Sequence, residues 1–460
     1  MNQPYLVEAA EQAVPVGYKQ TEVGMIPEDW FAYSLGQLSN FVTSGSRGWA
    51  KFYSNQGALF VRSQNVRNGK LDLEDSQFVT PKLGAEGDRT RLKLYDLLIT
   101  ITGNSVGNVA LVKQDLGDAY ISQHVGLVRL KNIEIANYVC MFLSPHSIGN
   151  FQILASQSGQ SKPGLTLKDL NEFLIVIPTS QEEQVAIANA LSDVDALLSE
   201  LEKLIAKKQA IKIATMQQLL TGRTRLPQFS LREDGSPKGY KQSELGEVPE
   251  DWEFRTYGEV FLFLSTSTNS RADLYATGDY GYVHYGDIHT KWHNRLDLNT
   301  SELPRISSDL VSSSFLEDGD VIMADASEDY EGIGKSVEVS NVGKDKVVAG
   351  LHTFLLRDKE KQLSDGYRGY VHSIPEVKKS LDKMATGMKV YGVSKNNLKN
   401  ILLPVPSKKE QTAITTVLSD MDEEIQTLDQ RLNKIRHIKQ GMMQELLTGK
   451  TRLVKPQVRE

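Results

Sequence analysis

The chain has 460 residues, of which 40% are apolar and 24% charged, a globular composition long enough for two or three domains. Its one cysteine, Cys140, excludes a disulfide framework and any cysteine-rich zinc module. With 52 basic and 58 acidic residues the net charge is −6, so a DNA site would have to be a local patch. The longest apolar cluster, Leu94 to Ile101, is interrupted by Asp96, and the first 16 residues lack the pattern of a signal peptide. We therefore expect a cytoplasmic protein without a membrane span.

The sequence repeats itself once. Residues 17–30 (GYKQTEVGMIPEDW) return as 239–252 (GYKQSELGEVPEDW), and 219–226 (LLTGRTRL) return as 446–453 (LLTGKTRL). Each half of the chain is thus a variable block of about 150 residues followed by a near-identical block of about 45. A duplication that merely enlarges a scaffold would leave the same trace, so the repeat alone does not decide the function.

The variable blocks have the pattern of mixed α/β structure. Short apolar runs separated by Gly, Asn and Asp predict strands, and a short helix is expected from Ile135 to Leu143. The strands predicted in the first block are 59–62, 97–101, 109–112, 125–130 and 173–177. The second block repeats this plan at 282–283, 321–323, 353–356 and 401–403.

A basic stretch in the first block is a candidate DNA-binding face. No acidic residue occurs between Phe41 and Leu71, where basic, amide and aromatic side chains alternate. Arginine reads guanine edges, asparagine and glutamine read adenine, and lysine neutralises phosphate. The candidate DNA-binding residues are Arg47, Lys51, Arg62, Gln64, Asn65, Arg67 and Lys70. An ordinary solvated surface remains the alternative.

The corresponding stretch of the second block keeps the framework but changes the polar residues. Val61 corresponds to Val283, whereas Arg62, Asn65 and Arg67 fall opposite a histidine, an aspartate and a second histidine. This pattern suits two modules of one fold that read different DNA sequences, although drift at a surface would also produce it. The candidates here are His284, His289, Lys291 and Arg295.

Two further pairs of loops carry small polar residues beside glycine, which lets backbone amides approach phosphates. Ordinary turn chemistry explains any one of them equally well. The candidates are Thr102, Asn104 and Ser105 in one loop, Gln160 and Lys162 in another, and Lys389 and Tyr391 in the second block.

Motifs of enzymes and metal sites are incomplete. His284, His289 and His293 are spaced by five and four residues, and on an expected strand or loop they do not converge as the i, i+4 pair of a zinc-binding helix does. The segment 332–336 (GIGKS) resembles the end of a phosphate-binding loop, but Asp329 stands where the opening glycine should be, and we interpret it as a hairpin. A G-x-S-x-G elbow is missing as well. We expect no metal site, no catalytic residue and no bound cofactor in this chain.

The near-identical blocks are predicted to be long helices. Apolar residues recur in steps of three and four, which indicates a heptad seam that needs a partner helix. The seam positions are Ile187, Leu191, Val194, Leu198, Leu201 and Ile205 in the first copy, and Ile414, Leu418, Met421, Ile425, Leu428 and Leu432 in the second. Two matched seams in one chain predict an antiparallel intramolecular coiled coil, with a homodimeric coiled coil as the alternative. Lys208, Lys212 and Lys439 lie on the same seam and predict either a looser seam or an acidic partner.

These observations predict an α+β fold with pseudo-two-fold symmetry, in which two globular α/β domains are separated by two long antiparallel helices. The expected segments are a tail at 1–16, the first α/β domain at 17–180, the first helix at 181–226, a linker at 227–238, the second α/β domain at 239–406, the second helix at 407–453 and a tail at 454–460.

The ends of the two copies carry a family resemblance. The residues concerned are 182–184 (EEQ), 191–195 (LSDVD) and 219–222 (LLTG), which return as 410–411 (EQ), 418–422 (LSDMD) and 446–449 (LLTG). In this paired arrangement the chain resembles the DNA specificity subunit of a type I restriction–modification enzyme over essentially its whole length.

The resemblance implies two target recognition domains, each of which reads one half of a bipartite, asymmetric sequence in double-stranded DNA, with the helices as a ruler for the unread spacer. It implies two modification subunits that bring S-adenosylmethionine and dock on the helices, and restriction subunits that bring ATP and magnesium. The chain itself is expected to be non-catalytic. A coiled-coil scaffold without sequence-specific DNA binding and a standalone enzyme remain the alternatives.

Overall fold

The computed structural model describes residues 14–67, 69–80, 85–157, 164–329, 332–385 and 391–454. These residues divide into two compact units. The first unit lies within Met1–Lys203 and Asp429–Glu460, and the second unit lies within Leu204–Leu428. Each unit therefore combines one variable block with parts of both near-identical blocks.

The first unit contains two four-stranded sheets. One is antiparallel throughout, in the order Val109–Leu111, Leu97–Thr100, Val125–Leu130, Ser39–Ser44. The other has the order Ala119–Ile121, Ala58–Val61, Gln77–Val79, Tyr53–Ser54, and its first pair is parallel. The remaining strands are Tyr18–Thr21, Gly24–Pro27, Phe31–Ser34, Val66–Arg67, Lys70–Leu71 and Leu174–Ile177. The α-helices besides the long ones are Leu35–Leu38, Ala85–Thr90, Ala136–Leu143, Asn150–Gln157 and Leu167–Glu172, and the 3-10 helices are Trp49–Phe52, Ser63–Asn65 and Ile133–Ile135.

The second unit repeats this plan. A five-stranded sheet has the order Leu262–Leu264, Thr353–Arg357, Val321–Ala324, Ser336–Ser340, Arg295–Asp297, and a three-stranded sheet has the order Arg305–Ile306, Tyr280–Val283, Val347–Ala349. The remaining strands are Tyr240–Ser243, Gly246–Pro249, Glu253–Thr256, Ala326–Ser327, Tyr391–Gly392 and Leu402–Val405. The short α-helices are Pro227–Ser230, Tyr257–Val260, Tyr285–Thr290, Pro375–Met384 and Lys395–Lys399, and the 3-10 helices are Arg271–Asp273, Ser308–Leu310 and Arg368–Ser373. The strands predicted from both blocks are confirmed, with ends shifted by one or two residues.

Two long helices span Gln181–Leu220 and Lys408–Leu446, with 40 and 39 residues. Each ends shortly before a glycine with a left-handed backbone, Gly222 at φ 70° and Gly449 at φ 69°, the conformation that commonly ends a helix. Within the first unit, Lys439 lies 2.7 Å from Asp195 and Arg436 lies 2.9 Å from Glu202. Residue numbers rise along one helix as they fall along the other, so the paired segments run antiparallel, as predicted.

The second unit pairs its helix segments in the same way. Lys208 lies 2.6 Å from Glu424, and Lys212 forms an ion pair with Asp422. The seam lysines therefore meet carboxylates of the facing helix, which was one of the two readings that the sequence left open. Ile187, Leu191, Leu198, Leu201, Ile205, Ile414, Leu418 and Leu432 are buried, and Val194, Met421, Ile425 and Leu428 are half-buried.

Candidate nucleic-acid interface

Three segments of the first unit meet at the ends of its strands, and we call them the first edge: residues 62–67, 102–105 and His124. The Ser105 hydroxyl donates to the Ser63 carbonyl at 3.5 Å, which joins the first two segments. The Thr102 hydroxyl is hydrogen-bonded to Nδ1 of His124, and Thr102 also forms a β-bridge with Gly164. Two of the loops predicted to contact DNA are thus neighbours, although they lie about 40 residues apart in the sequence.

Arg62 and Gln64 are held by one acidic residue of the following loop. Arg62 donates through Nη2 to the Asp75 carbonyl at 2.9 Å and lies 3.2 Å from the Asp75 carboxylate, and its side chain is 24% exposed. The Gln64 amide also donates to this carboxylate. Since the Asp75 side chain is 77% exposed, a ligand can reach the group that orients both residues.

Asn65 occupies a different position from its neighbours because it is buried, with 3% exposure. Its amide nitrogen donates to the carbonyls of Asp72 and Asp75, and its Oδ1 accepts from the Arg62 backbone amide at 2.9 Å. Both amide hydrogens are therefore used inside the protein, so the geometry gives Asn65 the task of holding the turn and not of contacting a base. A polar residue that closes a turn and one that reads DNA look alike in a sequence.

The other candidates of the first block lie at the surface. Arg47, Lys51, Arg67, Lys70 and Asn104 are exposed. Arg67 donates through Nε to the Gln64 carbonyl at 2.8 Å and lies 3.8 Å from Asp72, while the Lys51 ammonium lies 5.9 Å from the Phe52 ring centroid. Gln160, Lys162 and Lys389 lie outside the described residues.

The second unit forms an equivalent polar edge, which we call the second edge: residues 284–289, 325–329, His352 and Tyr391. His289 donates through Nε2 to the Ala326 carbonyl at 3.1 Å, and Ser327 pairs with Tyr391 between two short strands. The Lys335 ammonium donates to the His289 carbonyl at 2.7 Å. Segments from 284 to 391 therefore meet here, just as segments from 62 to 124 meet in the first unit.

His284 caps a helix at this edge. Its Nδ1 accepts from the Gly286 amide at 3.0 Å at the start of the helix Tyr285–Thr290. Burial lowers the pKa of His284, and the guanidinium of Arg271 acts in the same direction, so the ring is neutral near pH 7. This contact with the cap leaves only Nε2 of His284 for a ligand.

An aromatic cluster that the sequence did not indicate completes the second edge. The ring centroid of Tyr285 lies 4.7 Å from that of His284, 6.0 Å from that of His289 and 5.5 Å from that of His352. Tyr285 and His289 line an open cavity of about 790 Å³ within the second unit. His352 stands next to Asp325. Burial raises the pKa of Asp325, and the histidine offsets only part of that rise.

The last two candidates, Lys291 and Arg295, are exposed and follow the capped helix. Lys291 lies 3.3 Å from the Asp287 carboxylate, and Arg295 donates through Nε to the Ser340 hydroxyl at 3.1 Å. Among the described residues, no group of three or more His, Cys, Asp or Glu side chains could hold a metal ion. In that same part of the chain, no helix has the length and hydropathy to cross a membrane.

Repeated α/β units, antiparallel helices and a polar edge in each unit define a two-module recognition protein. Residues 27–212 and 249–437 match the family model of the type I restriction modification DNA specificity domain. The chain belongs to this family, and it is thus a specificity subunit of a type I restriction–modification system, a non-catalytic subunit that serves DNA target recognition.

Its relatives agree with this assignment. The type I restriction enzyme MjaVIII specificity subunit of Methanocaldococcus jannaschii is 26% identical over 444 residues, which cover 95% of this chain and 96% of the relative. A solved chain from work on complex assembly and conformational transition of the type I R-M system has a TM-score of 0.55 at 16% identity, over 93% of this chain and 99% of the other. The S subunit of a type I restriction–modification system from M. genitalium has a TM-score of 0.52 at 14% identity, over 91% and 96%. The fold predicted from the sequence is confirmed.

Proposed function

We propose that this chain recognises a bipartite, asymmetric sequence in double-stranded DNA, with the first edge reading one half and the second edge reading the other. The observation that carries the proposal is that the two units place polar edges at the ends of equivalent strands, while the polar side chains of the two edges differ. Arg62 in the first edge has His284 at the corresponding place in the second, directly after strands that end at Val61 and Val283. An equivalent backbone framework that carries different hydrogen-bonding side chains suits two half-sites of different sequence.

Within this proposal the exposed cations position the duplex and the edges read it. Arg47, Lys51, Arg67 and Lys70 would contact phosphates of one half-site, and Lys291 and Arg295 those of the other, because they are exposed and basic. Arg62, Gln64, Thr102, Asn104 and Ser105 would face bases at the first edge, with His284, His289 and Tyr391 at the second. Gln160, Lys162 and Lys389 belong to the proposal on their sequence alone.

The proposed assembly follows from the family. Two modification subunits would dock on the long helices and bring S-adenosylmethionine, and restriction subunits would bring ATP and magnesium, all in the cytoplasm. The helices would set the length of the unread spacer. The relatives are named as specificity subunits of type I restriction enzymes, which supports such partners. Recognition domains at 17–180 and 239–406 and helices at 181–226 and 407–453 remain the proposed division of the chain.

Co-expression with a type I modification subunit encoded beside this chain, followed by sequencing of methylated sites in the host DNA, tests the proposal. We expect methylated adenine in one bipartite motif with a fixed spacer. A complex that assembles but methylates no motif would favour the coiled-coil scaffold, which the family match does not favour. Methylation by this chain without the modification subunit would show that the chain is itself an enzyme.

A further inference from the structure

The two units share a histidine at an equivalent position, and each begins an H-x-x-L-x-R pattern, at 124–129 and 352–357. His124 directly precedes the strand Val125–Leu130, and His352 directly precedes the strand Thr353–Arg357. The two strands pair in the same register with Leu97–Thr100 and Val321–Ala324, since Val125 faces Thr100 and Thr353 faces Ala324.

Backbone hydrogen bonds confirm that the two positions are equivalent. The Ile101 amide donates to the His124 carbonyl at 2.9 Å, and the Asp325 amide donates to the His352 carbonyl at 3.1 Å. Ile101 and Asp325 are in turn the first residues after the strands Leu97–Thr100 and Val321–Ala324. Each histidine therefore stands where its edge brings the loops together.

Each imidazole is held by the first polar side chain of the facing loop. Nδ1 of His124 is hydrogen-bonded to the Thr102 hydroxyl, and Nδ1 of His352 lies 3.4 Å from the Asp325 carboxylate. A carboxylate only accepts, so this contact favours the tautomer of His352 in which Nδ1 carries the hydrogen. In the neutral ring Nε2 is then an acceptor that can take the exocyclic amino group of adenine or cytosine in the major groove.

At His124 the neighbouring glutamine adds a second reading group. The Gln123 amide lies 3.1 Å from Nε2 of His124, an arrangement in which the amide donates to the ring and Nδ1 donates to Thr102. Both ring nitrogens of His124 are then engaged, so the group that this pair offers to a base is the rest of the Gln123 amide. Glutamine is itself a residue that reads adenine edges. Leu351 stands at the corresponding position before His352, so the two edges present different hydrogen-bonding groups on the same backbone frame.

Packing does not explain these histidines. The His352 side chain is 51% exposed, and its backbone has a φ of 58°, a left-handed conformation that costs free energy for most residues other than glycine. His124 is also exposed. A strained, exposed and oriented side chain is typical of a functional position and not of a core position.

We propose that His124 and His352 determine specificity for one base in each half of the DNA target, His352 by contact through Nε2 and His124 as a positioning residue that orients the Gln123 amide toward the base. This inference rests on the proposed function, because it assumes that each edge faces one half-site. It adds the residues that decide one base position per half-site and the chemistry they recognise, the hydrogen-bonding edge of a base in the major groove.

Methylation-site sequencing of two full-length variants, each co-expressed with the modification subunit, tests this. The variants are His124→Ala and His352→Gly, the latter because glycine adopts a φ of 58° without strain. We expect each variant to lose preference about tenfold at one base position in its own half of the motif, with the other half and the spacer unchanged. His146→Gly is the matched control, since His146 is exposed, has a φ of 70° and lies in neither edge, and it should keep the wild-type motif.

A second variant at His352 distinguishes a change in specificity from a loss of folding. His352→Asn keeps a residue that tolerates the left-handed backbone, and it should change the preferred base at the same position. Wild-type motifs from all three variants, or an equal loss at every position with unchanged assembly, would overturn the inference. If the wild-type complex itself methylates no bipartite motif, the proposed function fails first and the inference falls with it, so the two failures are distinguishable.

Discussion

Arg452 donates through Nε at 2.5 Å and through Nη2 at 2.7 Å to the two oxygens of the Glu183 carboxylate, which joins the segment after the second long helix to the start of the first. The same guanidinium contacts Asp29 at 2.9 Å. The second unit repeats the arrangement, since Arg225 lies 2.6 Å from Glu410 and 2.9 Å from Asp251. A buried glutamate is thus paired with an arginine from the far end of the repeat in each unit.

Removing one partner of this cluster leaves a buried charge without compensation. We expect Arg452→Met to lower the free energy of unfolding by about 3–5 kcal/mol, since Glu183 is only 1% exposed. The double variant Arg452→Met, Glu183→Met should recover much of the loss, because both charges are then absent. Urea unfolding measures both. Lys203→Ala removes an exposed pair with Glu200 and should change little; a comparable loss there would contradict the role of burial.

The glycines that end the long helices support the same junction. At Gly449 the backbone is left-handed, and an added Cβ would overlap the ring of Pro27. Gly449→Ala should therefore destabilise the protein by more than about 1 kcal/mol. Gly441 provides the opposite case, because it lies inside the second long helix with open space around an added Cβ. Gly441→Ala should stabilise by up to about 1 kcal/mol. Thermal unfolding of both variants would show shifts of opposite sign, and a loss at both positions would contradict this reading.

Much of the architecture is predictable from the sequence because it depends on periodic patterns. The steps of three and four from Ile187 to Ile205 reflect helix geometry, and they correctly indicated both long helices and their antiparallel pairing. The apolar runs at 97–101 and 125–130 correctly indicated strands, because short runs of β-branched residues and leucine between turn residues are typical of buried strands.

The sites were harder to predict because their residues meet only after the strands pair. The repeated H-x-x-L-x-R pattern marks His124 and His352 as equivalent, but the loops that face them follow only from the pairing of strands distant in the sequence. Asn65 was expected at the DNA surface, yet its amide closes a turn. The partners of Asn65 are near it along the chain, but an asparagine that closes a turn and one that faces DNA are the same residue type in a sequence.

The buried His372 predicts how stability depends on pH. Burial lowers its pKa to about 3, and Lys335 and Lys378 act in the same direction, while an unfolded histidine titrates near 6.5. Between these values the unfolded chain binds a proton that the folded chain does not. This group's contribution is therefore complete above pH 6.5 and is lost towards pH 3, at up to about 1.4 kcal/mol per pH unit. Urea unfolding at pH 7.5, 6 and 5 should show a flatter profile for His372→Gln. An identical slope in both proteins would rule out this origin.

Exchange of the first variable block tests the modular proposal. Residues 17–180 replaced by the same block of another family member should change one half of the methylated motif and leave the other half unchanged. The physical reason is that the second edge is built only from residues of its own unit. Methylation-site sequencing of the hybrid is the measurement, and the reciprocal exchange of 239–406 is the control. A change in both halves from one exchange would contradict independent reading.

Arg62 and Arg67 separate base contact from phosphate contact. Arg62 is largely buried and oriented by Asp75, so Arg62→Ala should weaken binding to one half-site by about 1–3 kcal/mol and relax its specificity there. Arg67 is exposed, so Arg67→Ala should weaken binding to all duplexes alike and reduce the slope of log affinity against log salt by about one. Titration of labelled duplexes carrying single changes in either half-site, at several salt concentrations, measures both effects for the assembled complex.

Lys168→Ala removes another exposed cation outside both edges and should leave the slope unchanged. An equal salt effect from Lys168 and Arg67 would mean that Arg67 acts only through the overall charge of the protein, and the phosphate contact would have to be abandoned.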